Sequence, residues 1–209
     1  NRRFMVEHGL CSREKLVVLG NGSSHGVDAK ERFNPANVGT ESSASAARGA
    51  GLSGLPGRLC DKAEAVGAGV VSDAPPLVFG FVGRLARDKG LAELAQAWRT
   101  VAHELPSAWL LVVGPRSERP DPLLREQIGV LESLPRVRLV GEVREMEKWY
   151  RFFDVLVLPS RREGFPNVVL EAAAMDVPAV VTDALGCVDS VVDGVTGLVV
   201  PVGDTAALA

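Results

Sequence analysis

The sequence predicts an α/β protein built on an open parallel sheet with helices on both faces. Two observations predict it. From residue 77 onward the apolar runs are short and continuous instead of alternating, which is the pattern of strands covered on both sides. These runs alternate with longer segments whose apolar residues recur at helical spacing, and repeated β-α units wind right-handedly into one parallel sheet.

The elements follow in order. LVFGFVG (77–83) reads as a buried strand ending on a glycine. GLAELAQAWRTVAHEL (90–105) is an amphipathic helix, with Leu91, Leu94, Ala95, Trp98, Val101 and Ala102 on one face. AWLLVVG (108–114) is a second strand, PLLREQIGVLESL (122–134) a second helix and VRLVG (137–141) a third strand. MEKWYRFF (146–153) is a short helix and VLVLPS (155–160) a fourth strand. A helix then runs from about Pro166 to Met175, with Pro166 at the first helical position, where a missing amide hydrogen costs nothing. PAVVT (178–182) and GLVV (197–200) are the fifth and sixth strands. In such sheets ligands sit at the carboxyl ends of the strands, where the winding reverses. The loops after residues 83, 114, 141, 160 and 183 are therefore the places to search.

Composition narrows the function classes. The 209 residues are 46% apolar, enough for a sizeable core, and the formal net charge of −3 with mixed signs argues against a nucleic-acid surface. Cys11, Cys60 and Cys187 are far apart and form no CxxC, and His8, His25 and His103 are equally scattered. Neither a metal site nor a disulfide framework is suggested, and reduced thiols in a cytoplasmic protein are expected. No apolar run reaches the ~18–20 residues of a membrane span. The opening NRRFMVEHGL has no initiating methionine and no signal-peptide pattern, and reads as part of a longer protein. Residues 36–76, rich in Ala, Gly and Ser, are expected to be a linker or surface insertion, with a short Ala-rich helix around 59–67. Gly20, Gly22 and Gly26 offer a loose dinucleotide fingerprint, but VDAKERFNP follows them with no apolar helical stripe, so a nicotinamide site is rejected.

Two turns carry the candidate chemistry. In RLARDKG (84–90), Arg84 and Lys89 bracket a strand-to-helix turn whose unpaired amides and positive dipole end suit a phosphate or diphosphate. Alone, such a pair fits an ordinary solvated turn better than an anion site, because exposed charge pairs are common. The second turn, RREGFPNVVLE (161–171), opens another helix at the same edge, with Glu163 before it, Gly164 within it and Glu171 one turn into the helix. Carboxylates accept hydrogen bonds from vicinal hydroxyls, so two of them flanking an anion-binding amide cluster match a nucleotide sugar. The apolar surroundings of Glu171 speak against a purely solvated role.

The order and spacing of GNGSSHGVDAKERFNP, FVGRLARDKG, LLVVG, VRLVGEV, DVLVLPSRREGFPNVVLEAAAMDVPAVVTD and DGVTGLVVPVGD resemble the carboxyl-terminal half of a family 4 retaining glycosyltransferase of the GT-B fold. The resemblance implies a Rossmann-like open sheet over 77–209, truncated at its end, as the nucleotide-sugar-binding domain. Residues 1–35 would be a remnant of the interdomain segment plus the domain's first strand and loop. Arg84 and Lys89 would bind the donor diphosphate, and Glu163 would contact the hydroxyls of the transferred sugar, these three being the catalytic set. Gly83, Val143, Gly164, Phe165, Asn167, Val168 and Glu171 would bind the donor, Val143 facing the base and Glu171 the ribose. No cofactor and no metal are implied, and the sequence has no D-x-D element. The implied partners are a nucleotide-sugar donor, with UDP the expected nucleotide, and a glycan or lipid-linked acceptor held by an amino-terminal domain. A cytoplasmic enzyme, associated peripherally with the inner membrane face, of surface-polysaccharide synthesis would fit. Asp189 stands where the family often has glutamate, and the chain is expected not to transfer sugar by itself. The alternatives are a UDP-sugar 2-epimerase of the same architecture and a non-catalytic nucleotide-binding fragment.

Overall fold

The computed structural model describes residues 27–28, 30–37 and 76–209. The expectations placed on 1–26 and 38–75, including the Gly20–Gly26 turn and the helix near 59–67, lie outside the described residues. Among the described residues six strands form one all-parallel sheet: β1 (Val78–Val82), β2 (Trp109–Val113), β3 (Val137–Gly141), β4 (Val155–Leu158), β5 (Ala179–Thr182) and β6 (Gly197–Val200). Their order is β3-β2-β1-β4-β5-β6. The chain winds outward from β1 to β3, returns to lay β4 beside β1 (Gly80 opposite Leu156), and winds outward the other way. Right-handed crossovers then put the helices of the two halves on opposite faces, and the reversal falls between β1 and β4.

Among the described residues, α1 (Leu91–Glu104), α2 (Pro122–Ser133), α3 (Met146–Tyr150) and α4 (Asn167–Ala174) connect the strands, and α5 (Thr205–Leu208) follows β6. α1 buries Leu91, Leu94, Ala95, Trp98, Val101 and Ala102, the face its periodicity marks. The Trp98 indole donates to Pro135 O at 2.9 Å, tying α1 to the turn before β3. α2 starts at Asp121, whose side chain accepts from the Leu124 amide at 2.9 Å, with Pro122 in the first turn. Phe81, Leu110, Leu111, Leu156, Leu158 and Val181 fill the centre of the sheet, each no more than 1% exposed. Among the described residues no helix is long and apolar enough to cross a membrane.

Several sequence-derived boundaries shift. β4 ends at Leu158, because Pro159 and Ser160 turn out of the ladder. α3 ends at Tyr150 and not at 153, since Phe152 and Phe153 turn inward to the core. Pro166 is the extended residue that caps α4 (φ −79°, ψ 102°), so Asn167 takes the first helical position. Two single-turn 3-10 helices, Arg87–Lys89 and Val188–Ser190, lie inside the loops after β1 and β5. Residues 30–37, distant in sequence, pack on α3: Phe33 is 4% exposed and meets the Tyr150 ring edge-on at 6.0 Å, and Arg32 pairs with Glu147 at 2.9 Å.

Gly90 decides how closely the two halves meet. It precedes α1 with φ 69°, and a Cβ there would lie 2.0 Å from Pro159 O at the exit of β4. Alanine would have to adopt a left-handed backbone and displace a backbone carbonyl, so Gly90→Ala is expected to lose at least about 2 kcal/mol. Gly129 is the control: it lies within α2 with nothing within 4 Å of its Cβ position. Gly129→Ala is expected to gain about 0.5–1 kcal/mol from helix propensity. Urea denaturation of both variants checks the pair.

Candidate functional site

The loops after β1, β4 and β5 are joined to one another by main chain. Arg161 N donates to Asp88 O at 2.8 Å, and Glu163 N donates to Leu185 O at 3.1 Å. Gly186, with φ 88°, brings the β5 loop so close that a Cβ would sit 2.3 Å from Gly164 O and 2.5 Å from Glu163 O. Side chains add to this. Lys89 Nζ is 2.6 Å from Glu163 Oε1, with the two side chains only 17% and 13% exposed. The fully buried Ser160 donates its hydroxyl to the same Oε1 at 2.7 Å, and the Thr182 hydroxyl donates to the Ser160 carbonyl. Arg161 pairs with Glu93, which stands in the first turn of α1.

Charge is therefore distributed differently from a plain two-cation trap. Lys89 is already matched by Glu163, and the positive end of α1 already faces the Glu93 carboxylate. Arg84 is the cation of this turn that makes no ion pair among the described residues, and it is exposed. It lines a cleft of about 200 Å³ at the carboxyl ends of β1, β2 and β3, whose walls also include Gly83, Pro115, Glu142, Val143 and Met146. Gly83, Arg84 and Val143 thus share one cleft, while Lys89, Glu163 and the turn at 164–168 form its neighbour across the β1–β4 boundary. No described hydrogen bond or ion pair joins Arg84 to Glu163 or Glu171.

At the second turn, the amides of Gly164, Phe165, Asn167 and Val168 donate no hydrogen bond among the described residues, whereas Val169 N reaches Pro166 O at 3.1 Å. Four donors at and before a helix start form an anion- or hydroxyl-binding surface. Gly164 has nothing within 4 Å of its Cβ position and no left-handed backbone, so nothing in the described fold requires glycine there. Glu171, half-buried on α4, accepts from the Tyr150 hydroxyl at 2.8 Å through Oε2. Burial pushes the Glu171 carboxyl above its ordinary pKa; the Tyr150 hydrogen bond and the Arg32 charge pull it back, and Glu147 pushes it up. Burial, followed by the charge and hydrogen bond of Glu171, holds the Tyr150 phenol well above its usual value.

The family model described as "Glycosyl transferases group 1" matches residues 76–209. The chain belongs to this family. Over 205 residues it is 31% identical to the capsular polysaccharide biosynthesis glycosyltransferase CapM of Staphylococcus aureus, covering 98% of this chain and 47% of CapM. It spans about half the length of that relative. A glycosyltransferase structure from Rickettsia africae shares the fold at a TM-score of 0.75 and 21% identity, covering all of this chain and 48% of that one. The structure of Anabaena HepE in complex with UDP and glucose is 27% identical with a TM-score of 0.57, covering 64% of this chain and 37% of HepE. The six-stranded parallel sheet is accordingly the carboxyl-terminal half of a GT-B glycosyltransferase.

Several residues around these loops escaped the sequence reading. Ser160 carried one signal, a hydroxyl placed directly after an apolar strand and three residues before Glu163. Tyr150 carried another: it is the single tyrosine of the chain, set in the aromatic run WYRFF, and a buried phenol needs a partner. Arg161, Thr182 and Arg32 carried none, because their partners lie 68, 22 and 115 positions away. His103, in the last turn of α1, stands at the opposite end of that helix from the site loops, which removes it from acid-base chemistry there. Asp189 is exposed in the 3-10 turn after β5.

Cys187 lies beside these groups, fully buried. Burial and then the nearby Glu163 charge push its thiol up to about 11, against weaker lowering by Thr182 and Lys89. At pH 7.5 its thiolate fraction is about 0.03%, so the folded chain should resist alkylation there. Peptide mapping after iodoacetamide treatment is expected to find Cys187 unmodified in the native chain and modified in urea.

Proposed function

We propose that this chain supplies the donor-binding half of a family 4 retaining glycosyltransferase, taking a UDP-sugar as donor. The observation that carries the reading is the meeting of Lys89 and Glu163 at the β1–β4 reversal. A cation and a carboxylate there lie beside unbonded amides on one side and the Arg84 cleft on the other. The UDP and glucose bound to HepE support the choice of donor class, and the capsular role named for CapM supports a glycan or lipid-linked acceptor. That acceptor would be held by an amino-terminal domain of the whole enzyme, working in the cytoplasm at the inner membrane face.

In this reading the base enters the cleft beside Val143, the ribose hydroxyls bond Glu171, and Arg84 meets the diphosphate. Lys89 exchanges part of its contact with Glu163 for a phosphate oxygen, which frees the Glu163 carboxylate for sugar hydroxyls. The glycine at 164 leaves room for the sugar at the amides of 164–168. As the bond to the anomeric carbon breaks, negative charge develops on the departing diphosphate. Arg84, Lys89 and the start of α4 stabilise it electrostatically, without a metal ion and without a protein nucleophile. Attack from the same face then preserves the anomeric configuration.

Calorimetric titration with UDP, GDP and ADP tests this. UDP is expected to bind best, and Arg84→Ala and Glu171→Ala are each expected to cost ~1.5–3 kcal/mol, or roughly ten- to hundredfold in affinity. No nucleotide binding to the folded chain, or binding indifferent to both substitutions, would overturn the proposal.

A further inference from the structure

We propose that Tyr150 is the positioning residue of the ribose subsite: its hydroxyl fixes one oxygen of Glu171 so that the other is presented to the nucleotide's vicinal diol. The inference rests on the donor-site reading above and deepens it. A carboxylate has two acceptor oxygens and rotates freely unless one is held. Here Oε2 takes the Tyr150 hydroxyl at 2.8 Å, while Oε1 accepts nothing among the described residues. Tyr150 is fully buried whereas Glu171 is only half-buried, so the oxygen of Glu171 that Tyr150 does not hold is the one left for a ligand.

Tyr150 is suited to the task because its surroundings enclose it. Its side chain is 0% exposed, its ring meets Phe153 at 5.7 Å and 84° and Phe33 at 6.0 Å and 65°, both edge-on. Phe153 in turn lies against β1, where its ring occupies the space a Cβ on Gly80 would need. The one helix that carries Tyr150 is pinned from outside by Arg32, which bonds Glu147 at 2.9 Å and Arg144 O at 3.2 Å, and by Arg151, which donates to Pro35 O at 3.0 Å. A flexible acceptor on α4 is thereby held by a donor whose ring packs on Phe153 and Phe33 and whose helix is tied down by Arg32 and Arg151.

The placement also links two parts of the ligand. Met146 lines the cleft beside Val143, and Tyr150 follows four residues later on α3, hence on the same face of that helix. One rigid turn of helix therefore forms a wall where a base would sit and also sets the acceptor for the sugar attached to that base. The phenol is a neutral donor, so it orients Glu171 without cancelling its charge, which an arginine or lysine in its place would do.

The test compares UDP with 2′,3′-dideoxy-UDP, which lacks the diol, on the full chain and on Tyr150→Phe. The native chain is expected to prefer UDP by roughly ten- to hundredfold, and Tyr150→Phe to lose about tenfold of that preference while binding the dideoxy compound as before. Because the chain contains a single tyrosine, 3-fluorotyrosine labelling gives one fluorine resonance and a second readout that needs no substitution. UDP should shift that resonance more than dideoxy-UDP does. An unchanged preference in Tyr150→Phe, equal loss for both nucleotides, or equal fluorine shifts would overturn the assignment of Tyr150 alone. Failure of the native chain to bind UDP at all would overturn the donor reading, and this one with it.

Discussion

The site depends on one tie. Lys89 and Glu163 lie 74 positions apart, on loops that leave different strands, and their charged ends are 2.6 Å from one another. Such a meeting is possible because β4 returns to lie against β1, while the helices that follow the two strands depart to opposite faces. The two helix starts then flank a crevice, and the loops that enter them must be held together or they would drift apart. Gly90 and Gly186 permit the main chains to approach closely enough, and Arg161 N and Glu163 N convert the approach into hydrogen bonds.

The tie is more than a surface ion pair. Exposed pairs contribute ~0.2–1 kcal/mol and are readily screened. Here both partners are largely shielded, and the shared Oε1 also accepts from Ser160, so the cost of taking the carboxylate out of water is offset by two donors. The arrangement leaves Lys89 neutralised and Arg84 unpaired among the described residues. An anionic ligand would thus find one cation directly available and a second that must be shared with Glu163. Binding and release of a phosphate group would in that case alter the surroundings of the Glu163 carboxylate.

The sheet was readable because buried parallel strands leave a plain signature. The runs VFGFV, WLLVV and VLVL are apolar on both faces, and their shortness and β-branched and aromatic content mark them as strands between amphipathic helices. The α4 start was off by one residue, because proline fits both the cap and the first turn. The two carboxylates were visible as a spacing on either side of a turn. Their partners were not: Tyr150 reaches Glu171 from another helix, and Lys89 reaches Glu163 from a loop that leaves a different strand. Sequence periodicity reports which face is buried, not which hydroxyl crosses to which oxygen. Phe33 and Arg32 were hidden for the same reason, since the segment 30–37 meets α3 only through the fold.

A double-mutant cycle on Lys89 and Glu163 tests the central claim most directly. Lys89→Met, Glu163→Gln and the combined variant would be unfolded in urea beside the native chain. The account predicts a coupling of about 1–3 kcal/mol, the combined variant losing less stability than the two single losses together. Losses that add to within about 0.5 kcal/mol would mean the two side chains do not interact, and would contradict the convergence of the two loops on which the site is built.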